Sequence, residues 1–208
     1  MSHPGKGQTN ELLKVDAQGR LLYQTIAVPV TVASGSLLNP DYNTVGQAVD
    51  AGATRMNIIG DVFEASGVFS AGTLIIELQN SATWDLGDNT FSSANKIDVR
   101  GNGAVRYAQS VFHSPAFSSS INIEGVDIIN DSTSESPLVS AAGYDVANCA
   151  FIGDCVIAGS GGLMSSFSVS GDLIITTLAS GCNLQHSNVV GIVVDSGVGT
   201  VMSNVRFG

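Results

Sequence analysis

The chain of 208 residues is 44% apolar and only 12% charged, which supplies a sizeable core and is the reverse of a disordered composition. Eighteen acidic residues face eight basic ones, a net charge of −10. The only lysines are Lys6, Lys14 and Lys96, so no basic track for nucleic acid is visible and binding to an anionic membrane is disfavoured. No run of about 18 apolar residues predicts a membrane-spanning helix.

The polar start, Met1 to Asn10, lacks the apolar stretch of a secretion signal, so synthesis in a cytoplasm is expected. Residues 11–26 predict a β-hairpin. Leu12, Leu13 and Val15 precede the turn Asp16-Ala17-Gln18-Gly19, and Leu21, Leu22 and Tyr23 follow it. Gly19 supplies the positive φ that such a turn needs. A two-stranded hairpin is marginal alone, so these six apolar residues are expected to attach it to a partner chain or to the main body. Pro29 and Pro40 break the extended stretch that follows. Residues 1–40 thus read as an attachment segment and residues 41–208 as the main domain.

Residues 43–51 predict one short helix. Asn43 or Thr44 can cap it, Val45, Ala48 and Val49 make one apolar stripe, and Gly52 ends it. Placed before a run of strands, such a helix covers the open end of a β stack.

From Met56 onward a six-residue element recurs: an apolar residue, any residue, then Gly or Asn. Its starts are Ile58, Leu78, Val99, Ile123, Val146, Val169, His186 and Met202, spaced by 20, 21, 24, 23, 23, 17 and 16 residues. The third positions are Gly60, Asn80, Gly101, Gly125, Asn148, Gly171, Asn188 and Asn204, the two residue types that enter the left-handed region most readily. One left-handed residue between two short strands bends the chain around a corner. Periods near 20 residues without a helical pattern predict a β solenoid, whose turns bury a core only by stacking on one another. Eight such rungs would span roughly 40 Å. Residues 108–120 and 131–143 then read as insertions between rungs. Cys149, Cys155 and Cys182 lack metal-ligand spacing and are expected as buried, reduced thiols.

Lys96-Ile97-Asp98-Val99-Arg100-Gly101-Asn102-Gly103 and Ile121-Asn122-Ile123-Glu124-Gly125-Val126-Asp127-Ile128-Ile129-Asn130 resemble rungs of the pectate-lyase-like superfamily. The helix followed by Met56-Asn57-Ile58-Ile59-Gly60 is similar to the start of that fold. The resemblance covers residues 40–208 and implies an all-β, right-handed parallel β-helix, here with an N-terminal hairpin and a capping helix. The superfamily holds polysaccharide lyases, polygalacturonases and bacteriophage tailspikes, so the fold alone does not choose a function. The hairpin more loosely resembles segments of phage virion proteins. In the tailspike relatives the β-helix assembles as a parallel trimer attached to the particle through its N-terminal part.

The enzymatic relatives need carboxylate clusters with a His and an Arg-x-Lys, or calcium-binding acids with an arginine base. This chain has no Asp-Asp pair, no Gly-His-Gly and no Arg-x-Lys. Glu124 and Asp127 flank one corner and are the catalytic candidates, a glycosidase pair if Asp145, Asp154 or Asp172 comes alongside. Otherwise they are solvated exterior acids, as Arg100 and Arg106 are solvated bases. Tyr107, Phe112, His113 and Phe117 are candidates for glycan or subunit contact. His186 reads as a partly buried strand residue and Trp84 as a packing anchor. No cofactor or metal is expected. The chain closes on Val205-Arg206-Phe207-Gly208 with no polar cap, so cover by other chains, or intertwined rungs, is expected at that end.

The resemblance therefore implies a non-enzymatic structural protein of a bacteriophage particle: a tail, fibre or spike component, made in the host cytoplasm and located on the virion. Its expected partners are itself as a homotrimer, other virion proteins and a host-surface polysaccharide. The alternatives are a polysaccharide-degrading enzyme of β-helix type and a glycan-binding module.

Overall fold

The computed structural model describes residues 9–15, 21–27, 29–33, 40–64, 68–87, 90–107, 112–113, 120–130 and 143–208. β1 (Thr9–Val15) and β2 (Leu21–Ala27) pair antiparallel as the expected hairpin, with Leu13 opposite Tyr23 and Val15 opposite Leu21. They form a two-stranded sheet of their own. The turn Asp16-Ala17-Gln18-Gly19 lies outside the described residues.

β3 (Val30–Val32) is the first strand of the large sheet, and α1 (Val45–Asp50) follows within the expected stretch. Thr44 is the cap: its side-chain oxygen accepts the Gln47 N–H at 3.1 Å. Gly52, at φ +84°, reverses the chain after the helix. Val45 and Ala48 are buried as the apolar stripe requires. A buried acid pins the helix to the stack. Glu64 is 1% exposed, and its carboxylate accepts the N–H groups of Val45 at 2.8 Å and Gly46 at 3.2 Å and the Trp84 indole N–H at 3.0 Å. A buried carboxylate is tolerable only with such a set of donors. Trp84, fully buried, is thus a hydrogen-bond donor as well as a packing anchor.

Each turn then lays one strand on a first face and one on a second. The early pairs are β4 (Arg55–Ile58) with β5 (Asp61–Phe63), β6 (Val68–Leu78) with β7 (Thr83–Asp85), and β8 (Thr90–Gly101) with β9 (Ala104–Tyr107). The short β10 (Phe112–His113) precedes β11 (Ser120–Glu124) and β12 (Asp127–Asn130). Later turns have a third face. They run β13 (Tyr144–Ala147), β14 (Ala150–Ile152) and β15 (Cys155–Ile157), then β16 (Leu163–Ser165), β17 (Ser168–Val169) and β18 (Leu173–Ile175). β19 (Asn183–Val189) serves both first faces by bending at their corner; β20 (Val193–Asp195) is on the third, and β21 (Val201–Phe207) bends like β19.

All ladders of the main domain are parallel, so the chain is a parallel β-solenoid. Met56, Ile76, Val99, Ile123, Val146, Met164, Leu184 and Met202 share one register column on the first face. All but Met202 are buried, each contributing roughly 1.5–3 kcal/mol by leaving water. Their spacings are 20, 23, 24, 23, 18, 20 and 18 residues, close to the expected period but not identical to it.

The difference lies in the corners. Five of the expected residues turn the first corner with positive φ: Gly60 (+70°), Gly101 (+131°), Gly125 (+72°), Asn148 (+55°) and Asn204 (+54°). The others turn at Ser81 (+61°), not Asn80, and at Ser166 (+52°) and His186 (+51°), not Gly171 and Asn188. An L-residue in this region costs about 1–2 kcal/mol. Stacked backbone bonds offset it: Asn148 N–H donates to the Ser165 carbonyl and Ser166 N–H to the Gln185 carbonyl, both at 3.1 Å. The repeat copies placed at Val169 and His186 are therefore displaced. Val169 lies on the second face, between Phe151 and Val189.

Gly171 belongs to a different corner, between the second and third faces, with Gly153 and Gly191 above and below. Gly171 N–H donates to the Gly153 carbonyl and Gly191 N–H to the Gly171 carbonyl, both at 3.0 Å. Asp154 Oδ1 accepts the Asp172 N–H at 2.8 Å, and Asp172 Oδ1 accepts the Ile192 N–H at 2.9 Å. A Cβ on Gly171 would strike Asp154 Oδ1 and the Gly153 carbonyl. Glycine stands there for space, not for a left-handed φ.

The three cysteines are free and buried, as expected. The Tyr144 hydroxyl donates to Cys182 Sγ at 3.2 Å, and the Cys149 thiol donates to the Ala147 carbonyl at 3.2 Å. Burial pushes the Cys149 thiol from its ordinary 9.0 up to about 11, and raises Cys155 and Tyr144 further still.

Candidate functional site

The bend at the first corner leaves a concave, solvent-open groove of about 1010 Å³ along the later rungs. The corner residues Asn148, Ser166, His186 and Asn204 form one bank. The first residues of the second face form the other: Asp127, Ala150, Ser168, Asn188 and Arg206, stacked in one register column. Between them Cys149, Phe167 and Ser187 turn into the core, and Phe167 meets Phe151 edge-on with ring centroids 6.1 Å apart. The groove therefore offers amides, hydroxyls and an imidazole at steps of about 4.8 Å, with a carboxylate toward one end and a guanidinium toward the other. His186 is exposed, not partly buried, because the corner turns its side chain outward; its Nε2 lies 3.3 Å from Asn204 Nδ2.

Of the two candidate acids, Asp127 lines this groove, whereas Glu124, also exposed, is not among the lining residues. The register puts Arg100 and Ala147 beside Glu124, and Ala104 and Ala150 beside Asp127. None of these neighbours is a second carboxylate. Asp145 sits on the first face opposite Asn122, while Asp154 and Asp172 are at the second corner, where each holds a backbone N–H. Arg100 is exposed with Glu77 at 4.0 Å, an ion pair worth little at that exposure.

Tyr107 ends β9, and Phe112 and His113 form β10, whose backbone pairs with Phe91 and Ser92. Phe117 lies outside the described residues. Leu12, Leu13, Val15, Leu21, Leu22 and Tyr23 are all on hairpin strands.

A second feature escapes a sequence reading. Strand side chains that point outward should be polar, yet several around the second corner and third face, beside Asp154, Ser170 and Asp172, are apolar. Ile152, Val190, Ile192 and Val194 are 47%, 59%, 63% and 41% exposed, and Ile174, register neighbour of Val194, is half-buried. The signal was in the sequence as Val190-Gly191-Ile192-Val193-Val194, where alternation fails because both sides of the strand are apolar.

No family model matches this chain, and no curated protein or solved structure gives a significant match. The class defined by the coordinates is a parallel β-solenoid.

Proposed function

We propose that this chain is a non-enzymatic structural component of a virus particle, a bacteriophage tail, fibre or spike element that assembles as a homotrimer. The observation that carries the assembly is the set of outward apolar side chains Ile152, Ile174, Val190, Ile192 and Val194. The exposed apolar side chains grouped on the last described turn, Val190, Ile192 and Val194, support an interaction face. The virion rests on the likeness of the rungs and hairpin to tailspike relatives, and the coil is taken as right-handed, the sense that parallel crossovers adopt. Sedimentation of the full chain at micromolar concentration is expected to give a trimer. The double variant Ile192→Asp, Val194→Asp is expected to sediment as a monomer with an unchanged β-sheet circular dichroism spectrum. A monomeric parent chain sinks the proposal.

The polar groove favours a second reading, a glycan-binding module. Its banks repeat hydrogen-bonding groups at a step close to one sugar unit, and they lie at the corner opposite the third face, which leaves them open in the assembly. Isothermal titration with surface oligosaccharides tests it: Ser168→Trp, which fills the groove, should abolish binding, and retained affinity would remove the groove from the account.

A further inference from the structure

After Arg106 the sequence carries one further Lys or Arg, which is Arg206. It is exposed and stands in the groove, at the end of the column Asp127, Ala150, Ser168, Asn188, Arg206. Among the described residues no carboxylate lies in ion-pair range of its guanidinium. The acids of the later rungs are engaged or placed elsewhere. Asp145 is on the first face, and Asp154 and Asp172 clamp backbone N–H groups at the second corner. Asp195, on the third face, accepts the Gly197 N–H at 2.9 Å and the Thr200 hydroxyl at 3.2 Å. Asp127 is four rungs down the column, roughly 19 Å along the axis. That exceeds the screening length of about 8 Å at physiological salt.

The neighbours of Arg206 add donors. Asn188 is beside it in the register, and Asn204 and His186 stand at the adjoining corner, all lining the groove. Asn204 Nδ2 lies 3.3 Å from His186 Nε2, which ties the two side chains together. The middle of the column, Ala150 and Ser168, carries only small side chains. A guanidinium without a carboxylate partner, flanked by carboxamides, matches the paired oxygens of an anion. Resting on the glycan-binding reading above, we infer that the groove takes a glycan bearing an anionic substituent, a carboxylate or a phosphate, seated against Arg206, Asn188 and Asn204. The small-residue stretch holds an uncharged sugar unit next to it. The ligand therefore lies in one direction, its anionic part toward the C-terminal rungs and away from Asp127.

The full chain is first screened on an array of neutral, carboxylated and phosphorylated oligosaccharides. The strongest binders are expected to be anionic, and the array separates the two anionic groups. Isothermal titration then compares the best of them with its carboxyl-reduced or dephosphorylated form. Removal of the anionic group and Arg206→Gln are each expected to weaken binding about tenfold. The neutral form should bind parent and variant alike, and Asp127→Asn should leave the affinity unchanged. Arg206 is exposed, so its replacement leaves the core intact. Binding led by neutral glycans, or untouched by Arg206→Gln, overturns the anionic subsite and leaves the glycan-binding reading standing. Inorganic phosphate that binds as tightly as the glycan also overturns the subsite, as a bare anion site. A chain that binds no glycan overturns both.

Discussion

The first two corners of the turn solve the same problem differently. The first bends on backbone conformation: one residue per rung is left-handed, and its type varies among Gly, Asn, Ser and His. Its side chains point to solvent and make the bank of a groove. The second relies on close stacking, with only Gly153 (φ +97°) of its three glycines left-handed. Gly153, Gly171 and Gly191 lie directly over one another, and Asp154 and Asp172 each clamp the backbone of the next rung. The first corner is free to vary its chemistry, which suits a binding surface. The second is tight and repetitive, and each rung there holds the backbone of the next.

Substitutions separate the two. The largest effect is expected for Gly171→Ala, which forces a methyl into the Gly153 carbonyl and Asp154; a loss of about 3 kcal/mol in urea unfolding is expected. Next is a pH effect inside the first corner. Unfolding lets the Cys149 thiol ionise at its ordinary pKa, whereas the folded state holds it protonated to about 11. The contribution is therefore fully present below pH 9 and lost as pH rises through 11. It amounts to roughly 2–3 kcal/mol, and the steepness of that decline should lessen in Cys149→Ala. Asp172→Ala, which removes the acceptor of the Ile192 N–H at the exposed second corner, should cost about 1 kcal/mol in the same urea assay.

What the sequence disclosed follows from the same contrast. The helix was legible because Thr44, the Val45/Ala48 spacing and Gly52 agree locally. Parallel coiling was legible because Gly60, Gly101, Gly125, Asn148 and Asn204 advertise left-handed corners. Ser81, Ser166 and His186 were not, since neither Ser nor His prefers that region strongly; stacking bonds from adjacent rungs hold them there. Gly171 misled because a glycine needed for space reads the same as one needed for φ. Glu64 was invisible as a buried anchor, because its donors come from residues about 20 positions away. Asp127 was picked out on its own rung, but the groove it lines is built from five rungs, and only the register assembles them. The parallel pairing of Val68-Phe69-Ser70, Thr90-Phe91-Ser92 and Phe112-His113 was not legible either, because nothing within any one segment says that their backbones pair.

The smallest expected effect is also the most direct test of the contrast. At the first corner Ser166→Gly relieves a left-handed serine at φ +52°. The relief exceeds the entropy that glycine adds to the unfolded chain, for a net gain of roughly 0.5–1 kcal/mol. Measured beside Gly171→Ala, the urea midpoint should move upward for Ser166→Gly and downward for Gly171→Ala. Midpoints that fall together would contradict the division of labour between the corners.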